Sequence, residues 1–519
     1  MRSFRRGIVW AACLSLAAVP PVLAQGKHRL PKRRLAAAMA QAEVPMPAAV
    51  PETPGQPSMT LNEALAIAYE TNPELASAQA GLRATDEQVA QANGGWRPTV
   101  SIGGTYGMQK YFFPVEINGL GIITTHPGQG PAAAGTTSQI VNASVTDHPL
   151  NGAATITQPI FRSGRTIAEI SRAKALVRSG RAQLRATEQT VLLNSVTVYM
   201  NVVRDEAIVK LREHNVEVLR RQKTETELEF KAGSLTRTDV AQAQARLATA
   251  QSDLTTAQGQ LSISRADFLQ RIGRPAEALE SKPELPKLPS NEDNVLASAL
   301  RQNPALVTAR ENERAANYAV DDAWGAMGPT LSVQGQYGYS QSVLNSVQGF
   351  SSGGPPQSVA EHAVSVMGQL NVPIYQAGVE EANVRQAREL HAQSQLNVAV
   401  ADRLVRDAVE QAWANYQSAL GTIDSNEATE KADEIAFEGV TKEQQVGGRT
   451  VLDVLNAEQE LLNAQVALVT SERNAVVAAY QVLSAGGSLT ARTLGLKVKL
   501  YDPLEHYNDD AGAWVGFGG

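Results

Sequence analysis

Four stretches of the chain alternate apolar residues with small or polar ones, a pattern typical of β-strands that have one apolar face. In the clearest of them, Leu331, Val333 and Tyr337 alternate with serine and glutamine. The second face of these strands is rich in Gly, Ser, Thr and Gln rather than in charge, which favours a water-lined lumen over the half-buried sheet of a soluble domain. The predicted strands cover roughly residues 97–110, 152–161, 329–341 and 361–374.

Each predicted strand is about as long as a tilted strand that crosses a bilayer. Downstream of the N-terminal segment there is no run of about 18 apolar residues, so a membrane crossing would have to use strands. Four strands cannot close a barrel wide enough to hold a channel, and open sheet edges are not tolerated in lipid. The strand count therefore predicts that several chains share one barrel.

Most of the remaining chain is predicted to be helical. Between Gly164 and Lys231 there is no proline and a single internal glycine, Gly180, which predicts a helix about 100 Å long. A second such run spans residues 378–446, and a return helix follows each run, roughly at residues 236–272 and 450–484. Apolar residues recur at every seventh position of the second return helix, as in a coiled-coil seam; they are Leu455, Leu462, Val469, Val476 and Leu483.

The whole pattern occurs twice. Asn72-Pro73 recurs as Asn303-Pro304, 231 positions later, and each pair opens a shorter predicted helix that would continue a return helix end to end. Further along, Pro159 recurs as Pro373, only 214 positions later, so the first copy carries 17 extra residues. We expect these in a surface loop, roughly residues 111–150, because insertions concentrate in loops and this stretch is rich in Gly, Pro and Thr.

The N-terminus has the features of a secretory signal peptide. Arg2, Arg5 and Arg6 precede an apolar stretch, and residues 22–24 form a small-residue cleavage pattern. Cleavage there would remove Cys13, the single cysteine, although lipid modification of Cys13 is an alternative. The following residues 25–57 are basic and then Pro-rich, which predicts a disordered tail.

Composition and motifs exclude several classes of function. The formal net charge of −6 argues against a nucleic-acid partner. Seven histidines are scattered without metal-ligand spacing. The chain lacks a P-loop, a dinucleotide-binding motif and a serine-nucleophile motif. Catalytic residues, metal ligands and cofactors are therefore not expected, and we do not expect an enzyme.

Two short turns join the long helices to their return helices. The first turn is Gly233-Ser234-Leu235-Thr236 and the second is Gly447-Gly448-Arg449-Thr450. Glycine supplies the left-handed conformation that ends a helix. Asp239 and Asp453 follow the turns, and an aspartate near a helix N-terminus favours the helix dipole. Symmetry would also repeat Asp453 around a shared axis, where a ring of carboxylates could gate flow or bind cations.

The chain resembles the TolC family of outer-membrane factors over nearly all of its length. The resemblance is carried by residues 61–75 and 296–306, by the strand-to-helix junctions at 158–165 and 372–379, and by residues 446–457 (VGGRTVLDVLNA). It implies a mainly helical fold with membrane strands: a homotrimer with a twelve-stranded barrel, four strands from each chain, on a helical tunnel that crosses the periplasm. It also implies an outer-membrane location, contact with lipid, and no cofactor.

The repeats and the resemblance together predict how the chain is divided into segments. The segments are a signal peptide at 1–24, a tail at 25–57, a first repeat at 58–272 with a helical hairpin at 164–272, a linker or equatorial segment at 273–290, a second repeat at 291–486 with a hairpin at 378–485, and an equatorial and C-terminal segment at 487–519.

The resemblance also implies roles for residues near the turns. Asp453 matches the family's aperture aspartate, and Asp239 and Arg449 match members of a network that closes the tunnel. Asn456 stands where some members have a second aspartate, and Gln444 stands where they have a network tyrosine. We therefore expect weak block by divalent cations and a looser closed state.

The resemblance implies partners as well. A periplasmic adaptor (a membrane fusion protein) would dock on the two turns and deliver cargo from an inner-membrane pump, for efflux of small molecules or type I protein secretion. Two alternatives remain at this point: a soluble periplasmic coiled-coil scaffold, and a porin-like uptake channel that works without an adaptor.

Overall fold

A computed structural model describes residues 58–118, 121–123, 139–233, 235–344, 357–510, 512 and 514. The expected signal peptide and tail lie outside these residues. None of the described helices is long and apolar enough to cross a membrane.

The described residues form nine α-helices, one short 3-10 helix (Gly94–Trp96) and seven strands. The helices are α1 (Leu61–Thr71), α2 (Pro73–Asn93), α3 (Arg165–Lys231), α4 (Arg237–Ile272), α5 (Glu292–Gln302), α6 (Pro304–Ala326), α7 (Val379–Gln445), α8 (Val451–Ala485) and α9 (Glu505–Asp510). The strands are β1 (Thr99–Tyr106), β2 (Gln109–Asn118), β3 (Gly121–Ile123), β4 (Gln139–Asp147), β5 (Leu150–Phe161), β6 (Thr330–Leu344) and β7 (Gln357–Asn371). The predicted fold class, mainly helical with strands and internally duplicated, is confirmed.

Helices α3 and α7 are the long elements of the two copies, and each has 67 residues. Each begins directly after a glycine in the left-handed region, Gly164 with φ 82° and Gly378 with φ 79°. Helix α3 packs against α4 and α2, while α7 packs against α8 and α6. Helices α6 and α8 also pack against α3, so the helices of the two copies are in direct contact.

In each copy the return helix and a shorter helix meet end to end at an Asn-Pro pair (the Asn-Pro joint), as the sequence predicted. These helices are α4 and α2 in the first copy and α8 and α6 in the second. In the second copy the Asn303 Oδ1 accepts from the Ala305 N–H at 3.0 Å, and its Nδ2 donates to the Ala485 carbonyl at 2.9 Å. The same side chain therefore caps the start of α6 and holds the end of α8. Asn72 makes the equivalent contacts with Glu74 N–H at 2.8 Å and the Arg271 carbonyl at 3.2 Å.

Gly487 adjoins the second joint. Its φ is 75°, and a Cβ added there would lie 2.8 Å from the backbone nitrogen of Asn303. A side chain is therefore excluded both by the backbone conformation and by the close approach.

The strands β1, β5, β6 and β7 form an antiparallel sheet in that order. Register runs from Thr99↔Thr157 to Tyr106↔Leu150 between β1 and β5, and from Thr330↔Asn371 to Leu344↔Gln357 between β6 and β7. The prediction of a loop over residues 111–150 is wrong at both ends, because β2 and β4 pair there from Gln109↔Asp147 to Ile117↔Gln139. The glycines and prolines that suggested a loop are concentrated between these two strands, whereas the strands themselves are rich in aromatic and β-branched residues.

The largest apolar cluster lies where α1, α3, α4 and α8 meet. Tyr199 and Phe268 are fully buried in it, with ring centroids 6.2 Å apart. The Tyr199 hydroxyl donates to the Met59 carbonyl at 2.8 Å and accepts from the Glu280 N–H at 3.0 Å. One buried tyrosine thus ties the start of the first copy and the linker after α4 to the middle of α3.

Candidate gating and docking site

The described residues of the two turns that close the helical hairpins share two backbone features, a left-handed glycine at the end of the long helix and a capped start of the return helix. Gly233 and Gly447 have φ of 83° and 79°, so each ends its long helix in the left-handed region. In the second turn, the Gly447 N–H donates to the Gln444 carbonyl at 2.9 Å, and the Gly448 N–H donates to the Glu443 carbonyl at 2.8 Å. Ser234, predicted to be a docking residue, lies outside the described residues.

A threonine and an aspartate form a reciprocal cap at the start of each return helix. The Thr450 N–H and hydroxyl donate to the Asp453 Oδ2 at 2.9 and 2.8 Å, while the Asp453 N–H donates back to the hydroxyl at 3.3 Å. Thr236 and Asp239 repeat this arrangement, with the two donations to Oδ2 at 2.9 and 2.7 Å. Each threonine and aspartate therefore form a capping box at the N-terminus of a return helix.

These contacts keep both carboxylates negative. The backbone and hydroxyl hydrogen bonds from Thr450 lower the pKa of Asp453, and the charge of Arg449 adds to the effect. The hydroxyl and backbone hydrogen bonds from Thr236 lower the pKa of Asp239. Each aspartate therefore caps its helix and also remains negatively charged. Both carboxylates are thus still available for an electrostatic role in gating.

Arg449 is hydrogen-bonded to a residue of the same hairpin, close to the end of α7. Its Nε donates to the Glu443 Oε2 at 2.9 Å, and this hydrogen bond, followed by the charges of Glu443 and Asp453, raises the pKa of Arg449. Within the single chain described, the structure does not bring Asp239 and Arg449 together.

The equivalent position in the first turn is Leu235, which packs against an apolar cluster behind the turns. That cluster joins α3, α4 and α8 through Val216, Leu219, Ala250, Val451 and Leu455. The first turn is thus anchored by an apolar side chain, whereas the second presents a cation at the same position. The sequence pairing of the two turns did not predict this difference.

Asn456 contacts the other hairpin. Its Oδ1 accepts from the Arg246 Nη2 at 2.9 Å, so α8 is hydrogen-bonded to α4 close to both turns. Arg246 was missed by the sequence analysis. The available signal was its position seven residues after Asp239, which puts both on the same face of α4.

Glu458 is a second residue that sequence reasoning missed. It is 8% exposed, and its Oε1 accepts no hydrogen bond from the described residues. Burial raises the pKa of Glu458 to about 7. A carboxyl that titrates near neutral pH therefore lies between Leu455 and Leu462 on the buried face of α8.

Across the described part of the chain, no three His, Cys, Asp or Glu side chains are grouped so that they could hold a metal ion. Around Asp453 the structure instead offers a single capped carboxylate beside Arg449. In one chain this arrangement suits electrostatic control of a passage better than tight chelation of a cation.

Comparisons with known proteins agree on one family. The family model for outer membrane efflux proteins matches residues 64–274 and 295–488, one segment in each copy. The outer membrane efflux protein BepC of Brucella suis is 32% identical over 461 residues, which cover 88% of this chain and 92% of BepC. The outer membrane protein TolC of Escherichia coli is 23% identical over 434 residues, which cover 82% of this chain and 81% of TolC.

Solved structures share the fold. The outer membrane channel CmeC of Campylobacter jejuni superposes with a TM-score of 0.66 at 16% identity, covering 90% of this chain and 94% of CmeC. The resemblance to the TolC family inferred from the repeats is therefore confirmed. The chain belongs to the outer membrane efflux protein family.

Proposed function

We propose that the protein is the outer-membrane subunit of an export system, a homotrimeric channel that receives cargo from an inner-membrane pump through a periplasmic adaptor. As a member of its family, the protein is an outer-membrane channel protein. Trimer assembly, adaptor docking and gating by the tip residues are the proposed parts. Transport would use no catalytic residue or cofactor of this chain.

The observation that carries the proposal is the pair of matched turns at the ends of the two hairpins. Both have a left-handed glycine and a Thr–Asp cap, so the described part of each turn offers a partner the same two features. Val446, directly before the second turn, is 84% exposed. An exposed apolar residue beside a polar turn is a suitable anchor for an adaptor.

Exposed apolar residues support the membrane and trimer parts of the proposal. On the strands, Ile102 and Val364 are 84% and 78% exposed, as expected for side chains that contact lipid or a neighbouring chain. On α7, Leu396, Val400 and Leu404 are exposed at four-residue spacing, which forms one apolar stripe. A second copy of the chain would cover such a stripe.

For gating, we assign Asp453 to the aperture and Arg449 to the contacts that hold neighbouring hairpins together. Asp239 would contribute from the first turn, and Asn456 and Gln444 would make closure looser. Their support is the position of all five in the last turns of the hairpins.

Adaptor docking can be tested by crosslinking in cells. A cysteine at Val446 would carry a photo-crosslinker, and the matched control is a cysteine at Ala428, also exposed on α7 but about 27 Å from the turn. We expect Val446 to capture an adaptor and Ala428 not to do so. The captured adaptor's pump would then separate efflux of small molecules from type I protein secretion. Capture of no adaptor by the intact outer-membrane protein would contradict docking and favour an uptake channel.

A further inference from the structure

The two faces of the sheet formed by β1, β5, β6 and β7 carry different side chains. The register places Ile102, Tyr337 and Val364 on one face, and all three side chains are exposed in the single chain. In a membrane barrel the apolar face contacts lipid and the polar face lines the lumen. The opposite face of this sheet is therefore the lumen face.

One transverse row of the lumen face is polar on all four strands. Thr105 of β1 pairs with Asn151 of β5, which pairs with Ser340 of β6. Ser340 pairs in turn with Glu361 of β7. The Ser340 hydroxyl donates to the Asn151 Oδ1 at 2.8 Å, and the Asn151 Nδ2 donates to the Thr105 Oγ1 at 3.5 Å. These hydrogen bonds follow the row and do not include Glu361.

Glu361 carries a charge that nothing else on the four strands compensates. Its side chain is exposed and makes no hydrogen bond or ion pair with a described residue. As the structure describes them, β1, β5, β6 and β7 contain no lysine or arginine, and Glu361 is their one acidic residue. This carboxylate therefore sets the sign of the charge on their lumen face.

Asp147 of β4 and Lys110 of β2 lie beyond the row, where the sheet continues past β6. Asp147 is buried and its Oδ1 accepts from the Ser342 hydroxyl at 2.8 Å, so it lies on the lumen face with Ser342. The register pairs Asp147 with Gln109, which puts the next residue, Lys110, on the other face. This cation therefore does not oppose Glu361 in the lumen.

The next row towards the helices has no side chain larger than a methyl group. Its members, in strand order, are Gly103, Ala153, Gly338 and Ala363. A groove of about 370 Å³ is lined by residues of both rows, including Glu361 and Ala363. Because the small row offers nothing that could cover the carboxylate, Glu361 is open to solutes in the lumen.

Glu361 lies near the outer end of the barrel. Strand β7 ends at Asn371, shortly before α7 begins, so its first residues are the farthest from the long helix. His362, the next residue on the opposite face, contacts two tyrosines. Its ring centroid is 5.1 Å from that of Tyr339, and its Nδ1 lies 2.8 Å from the Tyr337 hydroxyl. Such aromatic groups are typical of the level at which a barrel meets the membrane–water interface.

We infer that Glu361 makes the outer end of the barrel lumen selective for cations over anions. The inference rests on the proposed trimeric channel, in which three copies of Glu361 would face one lumen. Carboxylates that line a water-filled passage attract cations and repel anions. The passage would then be charge-selective at the end opposite the proposed gate at Asp453.

The ratio of K⁺ to Cl⁻ permeability measures this preference. The purified full-length protein would be reconstituted in a planar bilayer, and the reversal potential measured across a KCl gradient. Glu361→Gln keeps the size of the side chain and should lower the ratio about fivefold at about 0.1 M salt, where a charge acts over roughly 10 Å. At about 1 M salt the difference should become small, because screening shortens that distance to roughly 3 Å.

Two further variants separate the charge from the structure of the strand. His362→Gln changes the adjacent residue on the opposite face and is the matched control, so it should leave the ratio unchanged. Ser340→Glu combined with Glu361→Gln moves the carboxylate to the neighbouring strand of the same row. It should restore the preference for cations, which a merely structural role of Glu361 would not do.

An unchanged permeability ratio in conducting Glu361→Gln channels would overturn the inference and leave the proposed channel intact. If Glu361→Gln does not form channels, Ser340→Lys, which places a cation beside the intact carboxylate, is measured in the same way. It should lower the ratio, and an unchanged ratio there would overturn the inference. Absence of conductance from the unmodified protein would overturn the proposed function, and the inference with it.

Discussion

Arg246 of the first hairpin and Asn456 of the second are joined by a 2.9 Å hydrogen bond between Nη2 and Oδ1, directly behind the two turns. Movement of α8 away from α4 must break this contact. Because the acceptor is a neutral amide, the contact holds the hairpins together without the full strength of an ion pair.

The first prediction concerns this hydrogen bond. Arg246→Ala should shift the closed-to-open equilibrium of each chain towards the open state by about fivefold, since a hydrogen bond of this kind contributes ~1 kcal/mol. Asn456→Asp should shift it towards the closed state, because the contact becomes an ion pair. Single-channel conductance of the reconstituted protein measures both changes.

A double variant separates this contact from the charge of the aperture itself. If Arg246 acts through Asn456, the effect of Asn456→Asp on opening should disappear in the Arg246→Ala background. An effect of equal size in both backgrounds would contradict the contact and favour a direct action of the new carboxylate on ions.

The second prediction concerns the proposed gate. Asp453→Ala or Arg449→Ala should raise single-channel conductance, since each removes a charge from the contacts that hold the second turn. Asp453→Asn should raise it as well, and because its amide oxygen still accepts the hydrogen bonds from Thr450, this variant distinguishes charge from capping. Unchanged conductance in both alanine variants would rule out the gate assignment.

The third prediction uses Glu458. Its pKa in the folded protein, about 7, is raised above the ordinary value of 4.5, so the folded state binds the proton more tightly than the unfolded state. Stability should therefore be greatest below about pH 4.5 as far as this group is concerned, and its contribution should be lost as pH rises to about 7. Glu458→Gln should raise stability by ~2–3 kcal/mol at pH 8 and by little at pH 5.

Denaturant unfolding at several pH values tests this directly. Glu460→Gln, an exposed neighbour on the same helix, is the matched control and should change stability little at any pH. Equal effects of Glu458→Gln at pH 5 and pH 8 would show that the carboxyl does not titrate in the folded protein as the structure implies.

The fourth prediction concerns the Asn-Pro joints. Asn303→Ala removes both the cap of α6 and the contact with Ala485, and should destabilise the protein by ~1–3 kcal/mol. Asn303→Asp keeps an acceptor for the cap but loses the Nδ2 donor, so it should lose only part of that stability. Thermal unfolding of the two variants separates the contributions, and equal losses would show that the joint acts through the Ala485 contact alone.

The sequence predicted the short helices because their starts are chemically marked. Asn-Pro fixes the first residue of α2 and α6, and the repetition of that pair in the second copy makes chance an unsatisfactory explanation. The glycine-containing turns marked the ends of the hairpins in the same way. These are local signals, in which the residues that cause a structure are neighbours in the chain.

The contacts between the copies could not be predicted in this way. Arg246 and Asn456 are 210 positions apart, and the repeat relates neither residue to the other. Glu458 looked like one of many carboxylates on solvated helix faces, because its burial results from packing between helices that the local sequence does not mark. The strands β2 and β4 were missed because the Gly- and Pro-rich stretch between them dominated the composition of the region.

The Asn-Pro joints have a mechanical consequence. In each copy a continuous helix of 67 residues, α3 or α7, lies beside two shorter helices that meet end to end at an asparagine. A long helix that is packed against two shorter helices bends most easily beside the junction of those two helices. A force applied at the turns should therefore bend the long helices mainly beside Asn72 and Asn303. Because the arrangement is duplicated, one chain has two corresponding positions at which its long helices can bend. Neither long helix needs an internal proline for this.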